Sequence, residues 1–216
     1  MTNSRRVPRS IQRRTTAKKA PKIKIVAYCE GKNTEPDFLL QFSLSRGNGL
    51  VDIQPIRAAG VPLTLVRKAV EHKKQLDKTA RKSKDPLDKK FQVWALFDRD
   101  AHPNIPQAFD MAHGNGVHVA YSNPCFELWP MLHFRSQTAP IHRHHLQRAL
   151  ENEIAGYDSN GSKKVNLETL RDDYNAAKAR AISLRQSNLQ TGDEMANPYT
   201  DVYELFDVII ENGKPA

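Results

Sequence analysis

The stretch from Phe91 to Asp100, FQVWALFDRD, constrains the fold most, because a short apolar run ends there in two carboxylates, Asp98 and Asp100. An apolar run of this length, bounded by charge, is typical of a buried strand in a parallel sheet. Side chains two residues apart on a strand point to the same face, and ligands of open α/β sheets bind just beyond the carboxyl ends of the strands. We therefore expect both carboxylates to reach one hard cation.

A second stretch, KIKIVAYCEGKNTE at residues 22–35, has the same organisation, with an apolar run that ends in Glu30 and Gly31. Carboxylates at the ends of two strands predict a magnesium site formed by Glu30, Asp98 and Asp100, since Mg²⁺ takes oxygen ligands and usually only one or two protein carboxylates. Glu30 is either a metal ligand or the base that deprotonates the attacking water. Acids at strand ends also mark exits to solvent, and a lone DxD would favour that interpretation.

Strand and helix patterns alternate up to residue 121, which indicates a parallel sheet with right-handed crossovers. The predicted strands cover residues 23–29, 51–56, 91–97 and 117–121. Asn123-Pro124 is interpreted as a helix start with proline at the first helical position. Later helices are predicted near residues 125–134, 144–154, 167–189 and 199–210. The fold class is therefore α/β, a parallel sheet of about four strands flanked by helices, with a helical C-terminal third.

Charge is distributed unevenly along the chain. Residues 1–22 carry eight Lys or Arg and no acid, and residues 67–90 carry ten bases and four acids, while the whole chain has a net charge of +9. Basic segments of this kind bind phosphates without sequence preference when they are functional. The alternative is a disordered tail and a solvated helix face that keep the protein in solution. The absence of acids from the tail favours nucleic acid as a partner.

The 216 residues suit one substantial domain with attachments. We expect a disordered basic arm at 1–21, a catalytic core at 22–135 and a helical C-terminal region at 136–216 packed on that core. No window reaches the ~18–20 apolar residues of a membrane span, and the basic N-terminus lacks the apolar core of a secretory signal. Two distant cysteines, Cys29 and Cys125, indicate a reduced, cytoplasmic protein with no disulfide.

Other residues are candidates for supporting roles. Glu127 is predicted to lie in the first turn of a helix beyond the fourth strand, where it either completes the metal site or complements the helix dipole. Lys32 contacts a phosphate or is a solvated loop lysine, and Arg99 is a second candidate for substrate binding. The HRHH segment at 142–145 is interpreted as a basic helix start, because zinc sites usually take a second pair of ligands from elsewhere.

Several local sequences resemble those of a known family. CEG at 29–31 and DRD at 98–100 resemble the signature motifs of the Toprim fold, which occurs in topoisomerases, primases and overcoming-lysogenization-defect nucleases. CEGKNTEPDFL, AYSNPCFELWPMLHF and NPYTDVYELF are similar to segments of the RloB-like proteins. Glu30 matches the Toprim glutamate, and Asp98 and Asp100 match its DxD. Pro130 departs from the family pattern, and a proline inside a helix costs about 3 kcal/mol.

The resemblance implies a Toprim-like core that uses Mg²⁺ or Mn²⁺ as a nuclease on DNA or RNA, transfer RNA included. It also implies an effector of an antiphage abortive-infection system, acting beside an ABC- or AAA-type ATPase, with homo-oligomerisation left open. One alternative is a non-catalytic subunit of the same fold that binds nucleic acid or the ATPase without cutting. Another is nucleotidyl transfer, as in primases, although the sequence has neither a P-loop nor a zinc element.

Overall fold

A five-stranded sheet lies at the centre of the computed structural model, which describes residues 20–58, 60–99 and 104–215. The strands are β1 (Ile23–Cys29), β2 (Val51–Arg57), β3 (Phe91–Asp98), β4 (His118–Asn123) and β5 (Tyr199–Thr200). Their spatial order is β2-β1-β3-β4-β5; the first four are parallel, and β5 is antiparallel to β4. The predicted α/β fold is confirmed, with one strand more than the four expected.

Helices cover both faces of this sheet. They are α1 (Thr34–Arg46), α2 (Pro62–Lys82), α3 (Ile105–Gly114), α4 (Leu128–Leu132), α5 (Arg143–Glu153), α6 (Tyr174–Thr191) and α7 (Tyr203–Gly213), with short 3₁₀ turns at Leu87–Lys89 and Leu167–Thr169. The C-terminal part is mostly helical, as expected. No helix within the described ranges is long and apolar enough to cross a membrane.

Two apolar cores lie on opposite faces of the sheet. On β1, Ile25 and Ala27 face a core shared with α1 and α4–α7, whereas Val26 and Tyr28 face a core shared with α2 and α3. This division follows from the two-residue side-chain period of a strand. Strands buried on both faces are continuous apolar runs, and for this reason β1 and β3 can be recognised in the sequence.

The expected helix start at Asn123-Pro124 is wrong. β4 continues to Asn123, and α4 begins only at Leu128, after a turn in which the N–H of Leu128 donates to the Cys125 carbonyl at 3.0 Å. Pro130 is the third residue of this short helix. The first four N–H groups of a helix have no partner within it, so the proline at this position removes no helical hydrogen bond.

Each of the last two predicted helices corresponds to two separate elements in the structure. A 3₁₀ turn precedes α6, whose N-cap Asp173 accepts the N–H of Ala176 at 2.9 Å. Before α7, β5 pairs with the end of β4, and Asp201 accepts the N–H of Tyr121 at 2.6 Å. A strand of two residues has no readable period, so the sequence pattern merged it with α7.

Candidate active site

Glu30 and Asp98 end neighbouring parallel strands and are joined by a hydrogen bond. Glu30 directly follows β1, and its N–H donates to the Leu96 carbonyl at 3.0 Å. Asp98 is the last residue of β3, and its backbone N–H donates to Oε2 of Glu30 at 3.1 Å. The structure thus brings together the two carboxylates that the sequence placed at separate strand ends. Asp100, the third predicted ligand, lies outside the described residues.

A cavity of about 310 Å³ opens at this edge of the sheet. Four of its lining residues are carboxylates, Glu30, Glu35, Asp98 and Glu127. The others include three cations and an amide, Lys32, Arg143, Lys163 and Gln147. The cavity therefore combines oxygen ligands for a hard cation with positive groups for an anion.

Glu35 lines this cavity from the first turn of α1. Its Oε1 accepts the N–H of Gly31 at 3.1 Å. A Cβ at position 31 would lie 1.8 Å from Oε2 of Glu35, so a larger residue there would displace this carboxyl group. Burial raises the pKa of Glu35 to about 7, and the charges of Glu127 and Glu30 act in the same direction.

Glu127 is held by the C-terminal region rather than by its own helix. Its Oε1 accepts hydrogen bonds from Gln147 Nε2 at 3.1 Å and from the Tyr157 hydroxyl at 3.0 Å. Gln147 Oε1 in turn accepts from Lys163 Nζ at 3.3 Å. Although Glu127 is the N-cap residue of α4, its side chain makes no capping hydrogen bond. The interactions of this buried side chain therefore link the cavity to α5 and to the loop after it.

Asp98 is in a strongly negative environment. Burial raises the pKa of its carboxyl group well above the usual range, and Glu35, Glu127 and Glu30 raise it further. Arg143 opposes this shift, since its guanidinium lies 3.7 Å from Oδ2 of Asp98. Like charges that lie close together disfavour full ionisation. The carboxylates of this cavity therefore favour either a shared proton or an additional cation.

Of the two predicted substrate-binding residues, only one lies at the carboxylate cavity. Lys32 lines the carboxylate cavity. Arg99 instead lines a separate cavity of about 450 Å³ with Phe109 and Tyr121, beside α3. The HRHH segment begins α5, as expected, with His142 as N-cap. No group of three or more His, Cys, Asp or Glu within the described ranges is placed to hold a metal ion.

Sequence reasoning missed the contribution of the C-terminal region to this cavity. Arg143, Gln147 and Lys163 line it, and Tyr157 holds Glu127. Thr34 Oγ1 donates to the Lys163 carbonyl at 2.9 Å, which fixes the loop that carries Lys163 next to α1. Residues more than a hundred positions from Glu30 leave no local pattern. The one available signal was the basic helix start that contains Arg143.

Together, these features define an α/β protein with a mostly parallel sheet and a carboxylate-lined cavity beyond the ends of β1 and β3. A family model described as RloB-like protein matches residues 25–209. The chain belongs to the RloB-like family, as the resemblance in the sequence predicted. No curated protein and no solved structure matches the chain significantly.

Proposed function

We propose that this protein is a metal-dependent nuclease that hydrolyses phosphodiester bonds in DNA or RNA. The observation that carries the proposal is the 3.1 Å hydrogen bond from the Asp98 N–H to Oε2 of Glu30, because it fixes the Glu30 carboxylate at the end of β3, where Asp98 lines the same cavity. Both residues lie at the carboxyl ends of neighbouring parallel strands, and open α/β sheets bind their ligands just beyond these ends.

The donor set fits a hard divalent cation. Glu30 and Asp98 offer only oxygen atoms, and Mg²⁺ usually takes one or two protein carboxylates and keeps several waters. Burial and the neighbouring acids raise the pKa of Asp98, and a bound cation would offset the repulsion among these carboxylates. Asp100, beyond the described residues, is the third predicted ligand. A bound Mg²⁺ or Mn²⁺ would activate water and stabilise the leaving oxygen.

The residues around these carboxylates have separate roles in the proposal. Glu30 is a metal ligand or the base that accepts a proton from the attacking water. Lys32 and Lys163 bind phosphate oxygens as point charges, and Arg143 presents a planar guanidinium that suits bidentate contact. Glu127 keeps Gln147 in place through its hydrogen bonds and thereby orients Lys163.

Family membership supports the biological part of the proposal. As an RloB-like protein, the chain would act in the cytoplasm as the effector of an antiphage abortive-infection system. An ABC- or AAA-type ATPase would be its partner, and self-association is compatible with this role. The support for the defence role and for the ATPase is the family resemblance alone.

Cleavage assays with the purified full chain test this function. Labelled single-stranded DNA, duplex DNA and transfer RNA are incubated with Mg²⁺, Mn²⁺ or EDTA. We expect at least one substrate to be cut only when the cation is present, and Asp98→Ala and Asp100→Ala to abolish the cleavage. Full cleavage by both variants, or equal cleavage in EDTA, would refute the proposed site.

A second candidate function is nucleic-acid or ATPase binding without cutting. It is favoured by the finding that, within residues 20–58, 60–99 and 104–215, no group of three or more His, Cys, Asp or Glu is placed to hold a metal ion. The same substrates distinguish the two functions, because a binding subunit retains them on the protein and releases no product with any cation.

A further inference from the structure

A row of positive side chains runs along the outer side of α2. The inner side of this helix packs Leu65, Val66, Ala69 and Val70 against the sheet. At 3.6 residues per turn and 1.5 Å per residue, the opposite side presents five bases within an arc of about 100° and over about 22 Å of helix. These exposed residues, Arg67, Lys74, Lys78, Arg81 and Lys82, are called the α2 basic track.

Most acids of this segment are already engaged beside the track. Asp77 pairs with Lys73 at 3.0 Å, and Asp88 accepts the Ser83 hydroxyl at 2.6 Å. Asp85 accepts the N–H of Leu87 at 2.9 Å. Glu71 is the remaining acid, and it is exposed within the arc of the track, about one turn from Arg67 and from Lys74. The outer side of α2 therefore has a large excess of positive charge.

The stability of the helix explains only part of this arrangement, because Arg81 and Lys82, in its last turn, lie at the negative end of the helix dipole. Lys74, Lys78 and Lys82 follow one another at intervals of four residues, and like charges at this spacing destabilise a helix by about 0.2–0.5 kcal/mol per pair. The track also lies opposite the buried side of α2 and adds nothing to the core. Its charges are therefore available to a partner.

The first turns of α2 lie at the same edge of the sheet as the carboxylate cavity. α2 follows β2, and the N–H of Ala58 donates to the carbonyl of Cys29, the residue before Glu30, at 2.9 Å. A groove of about 430 Å³ lies there, and Arg57, Lys68, Tyr28 and His72 are among its lining residues. Arg57 and Lys68 extend the positive charge of α2 into this groove, which Glu71 also lines.

We propose that the α2 basic track and this groove bind the backbone of a nucleic acid and direct it towards the edge where Glu30 lies. The binding itself needs no metal, whereas delivery to a cutting site rests on the proposed nuclease function. About 22 Å of duplex carries roughly 13 phosphates, enough to engage the whole track.

Side-chain chemistry favours nucleic acid over a lipid surface. Helices that bind membranes place large apolar side chains next to their basic residues. The large apolar side chains exposed in the described part of the chain are Leu40, Leu44, Val61, Leu189 and Met195. None of them belongs to the track, and the apolar side of α2 is buried against the sheet.

The test compares two triple variants of the full chain that lose the same charge. Lys74→Gln, Lys78→Gln and Arg81→Gln neutralise the track; Arg135→Gln, Arg148→Gln and Lys214→Gln, at exposed positions elsewhere, form the control. Fluorescence anisotropy of labelled single-stranded DNA, single-stranded RNA and duplex DNA is measured in EDTA at several salt concentrations. Vesicles of phosphatidylcholine with phosphatidylserine are the second probe.

We expect the track variant to bind at least one nucleic acid more weakly than the wild type. The plot of its log affinity against log salt should be less steep, by about 2–3 in slope. The control variant should keep the wild-type slope, and both should be folded as judged by circular dichroism. Equal slopes for the two variants would overturn the proposal, as would loss of vesicle binding with unchanged nucleic-acid binding. Binding is measured without a divalent cation and therefore does not depend on cleavage. If the wild type never cuts nucleic acid in the cleavage assay, the nuclease proposal fails, but this inference still stands or falls on the binding result.

Discussion

The backbone N–H of Asp98 donates to Oε2 of Glu30 at 3.1 Å, so the end of β3 fixes the side chain that follows β1. A backbone donor cannot move away from the site as a side chain can. The direction of Glu30 is therefore set by the parallel pairing of β1 with β3. The same cavity is lined by several acids, and a shared proton or a bound cation would offset their repulsion.

The first prediction concerns stabilisation by metal. Mg²⁺ should raise the thermal unfolding temperature of the wild type, because a cation bound only to the folded state stabilises it. Asp98→Asn should abolish most of this shift. In EDTA the variant should unfold no earlier than the wild type, since the substitution removes a buried charge from a crowded group.

Asp110→Asn is the matched control, because Asp110 is exposed on α3 and outside the carboxylate cavity. The control should keep the full Mg²⁺ shift. A shift of equal size in Asp98→Asn would show that the cation binds elsewhere.

The second prediction concerns pH and Asp201, which lies away from the proposed metal site. Burial raises its pKa to about 7 from 3.8; Glu204 adds to the shift, whereas Arg185 and hydrogen bonds from Tyr121 N–H and the Tyr199 hydroxyl oppose it. The folded state thus binds this proton more tightly than the unfolded state. The resulting stability is fully present below about pH 4 and is lost as pH rises to about 7.

Asp201→Asn isolates this effect, because an amide accepts from the Tyr121 N–H and donates to the Tyr199 hydroxyl without titrating. Urea unfolding of both proteins is measured between pH 5 and pH 8. The free energy of unfolding of the variant relative to wild type should rise by up to about 1.4 kcal/mol per pH unit below pH 7. A difference that stays constant with pH would contradict the assigned shift.

The third prediction concerns the anchor of Glu127. Tyr157→Phe removes the hydroxyl that donates to Oε1 of Glu127 at 3.0 Å. We expect the free energy of unfolding to fall by about 1.5–3 kcal/mol, the range for a hydrogen bond to a charged group. Cleavage should also fall, because Glu127 positions Gln147 and, through it, Lys163.

Tyr174→Phe is the control for this variant. Its hydroxyl also donates to a carboxylate, that of Asp207 at 2.8 Å, but it lies outside the cavity. The control should lose comparable stability and keep its cleavage rate at temperatures where it is folded. Parallel losses of activity in both variants would mean that stability alone is responsible.

Much of the fold could be predicted because buried parallel strands leave continuous apolar runs. β1 was located at both ends, and β3 differs from its prediction by one residue. β5 was missed because its two residues pair with β4 through contacts that are distant in sequence. The start of α4 was misplaced because a proline suggested a helix where the chain makes a turn instead.

The candidate site was only half visible in the sequence. Glu30 and Asp98 carry a signal, since each ends an apolar run in a charge. Arg143 and Lys163 reach the same cavity from the C-terminal region, and only the folded chain shows this. Arg99 immediately follows Asp98, yet it lines a different cavity. Adjacent residues of an extended chain point in opposite directions, and this separates Arg99 from the carboxylates.

The fourth prediction concerns the N-terminal arm. Of its residues 1–21, the first nineteen lie outside the described residues, so the prediction rests on their charge. Deleting the arm should weaken nucleic-acid binding and flatten its salt dependence, with a decrease in slope of about 0.7–0.9 for each lost phosphate contact. Cleavage at saturating substrate should survive. An unchanged slope would assign the arm to another partner, such as the ATPase.

The most direct test of the central claim is the cleavage rate of Glu30→Gln under single-turnover conditions with Mg²⁺. Glutamine is nearly isosteric with glutamate and its oxygen still accepts the Asp98 N–H, so the fold should persist. It cannot take a proton from water, and it is a poorer metal ligand. We predict that cleavage falls by several orders of magnitude while circular dichroism is unchanged. A folded Glu30→Gln that cleaves at the wild-type rate, or protects cells from phage as well as the wild type does, would contradict catalysis at this site.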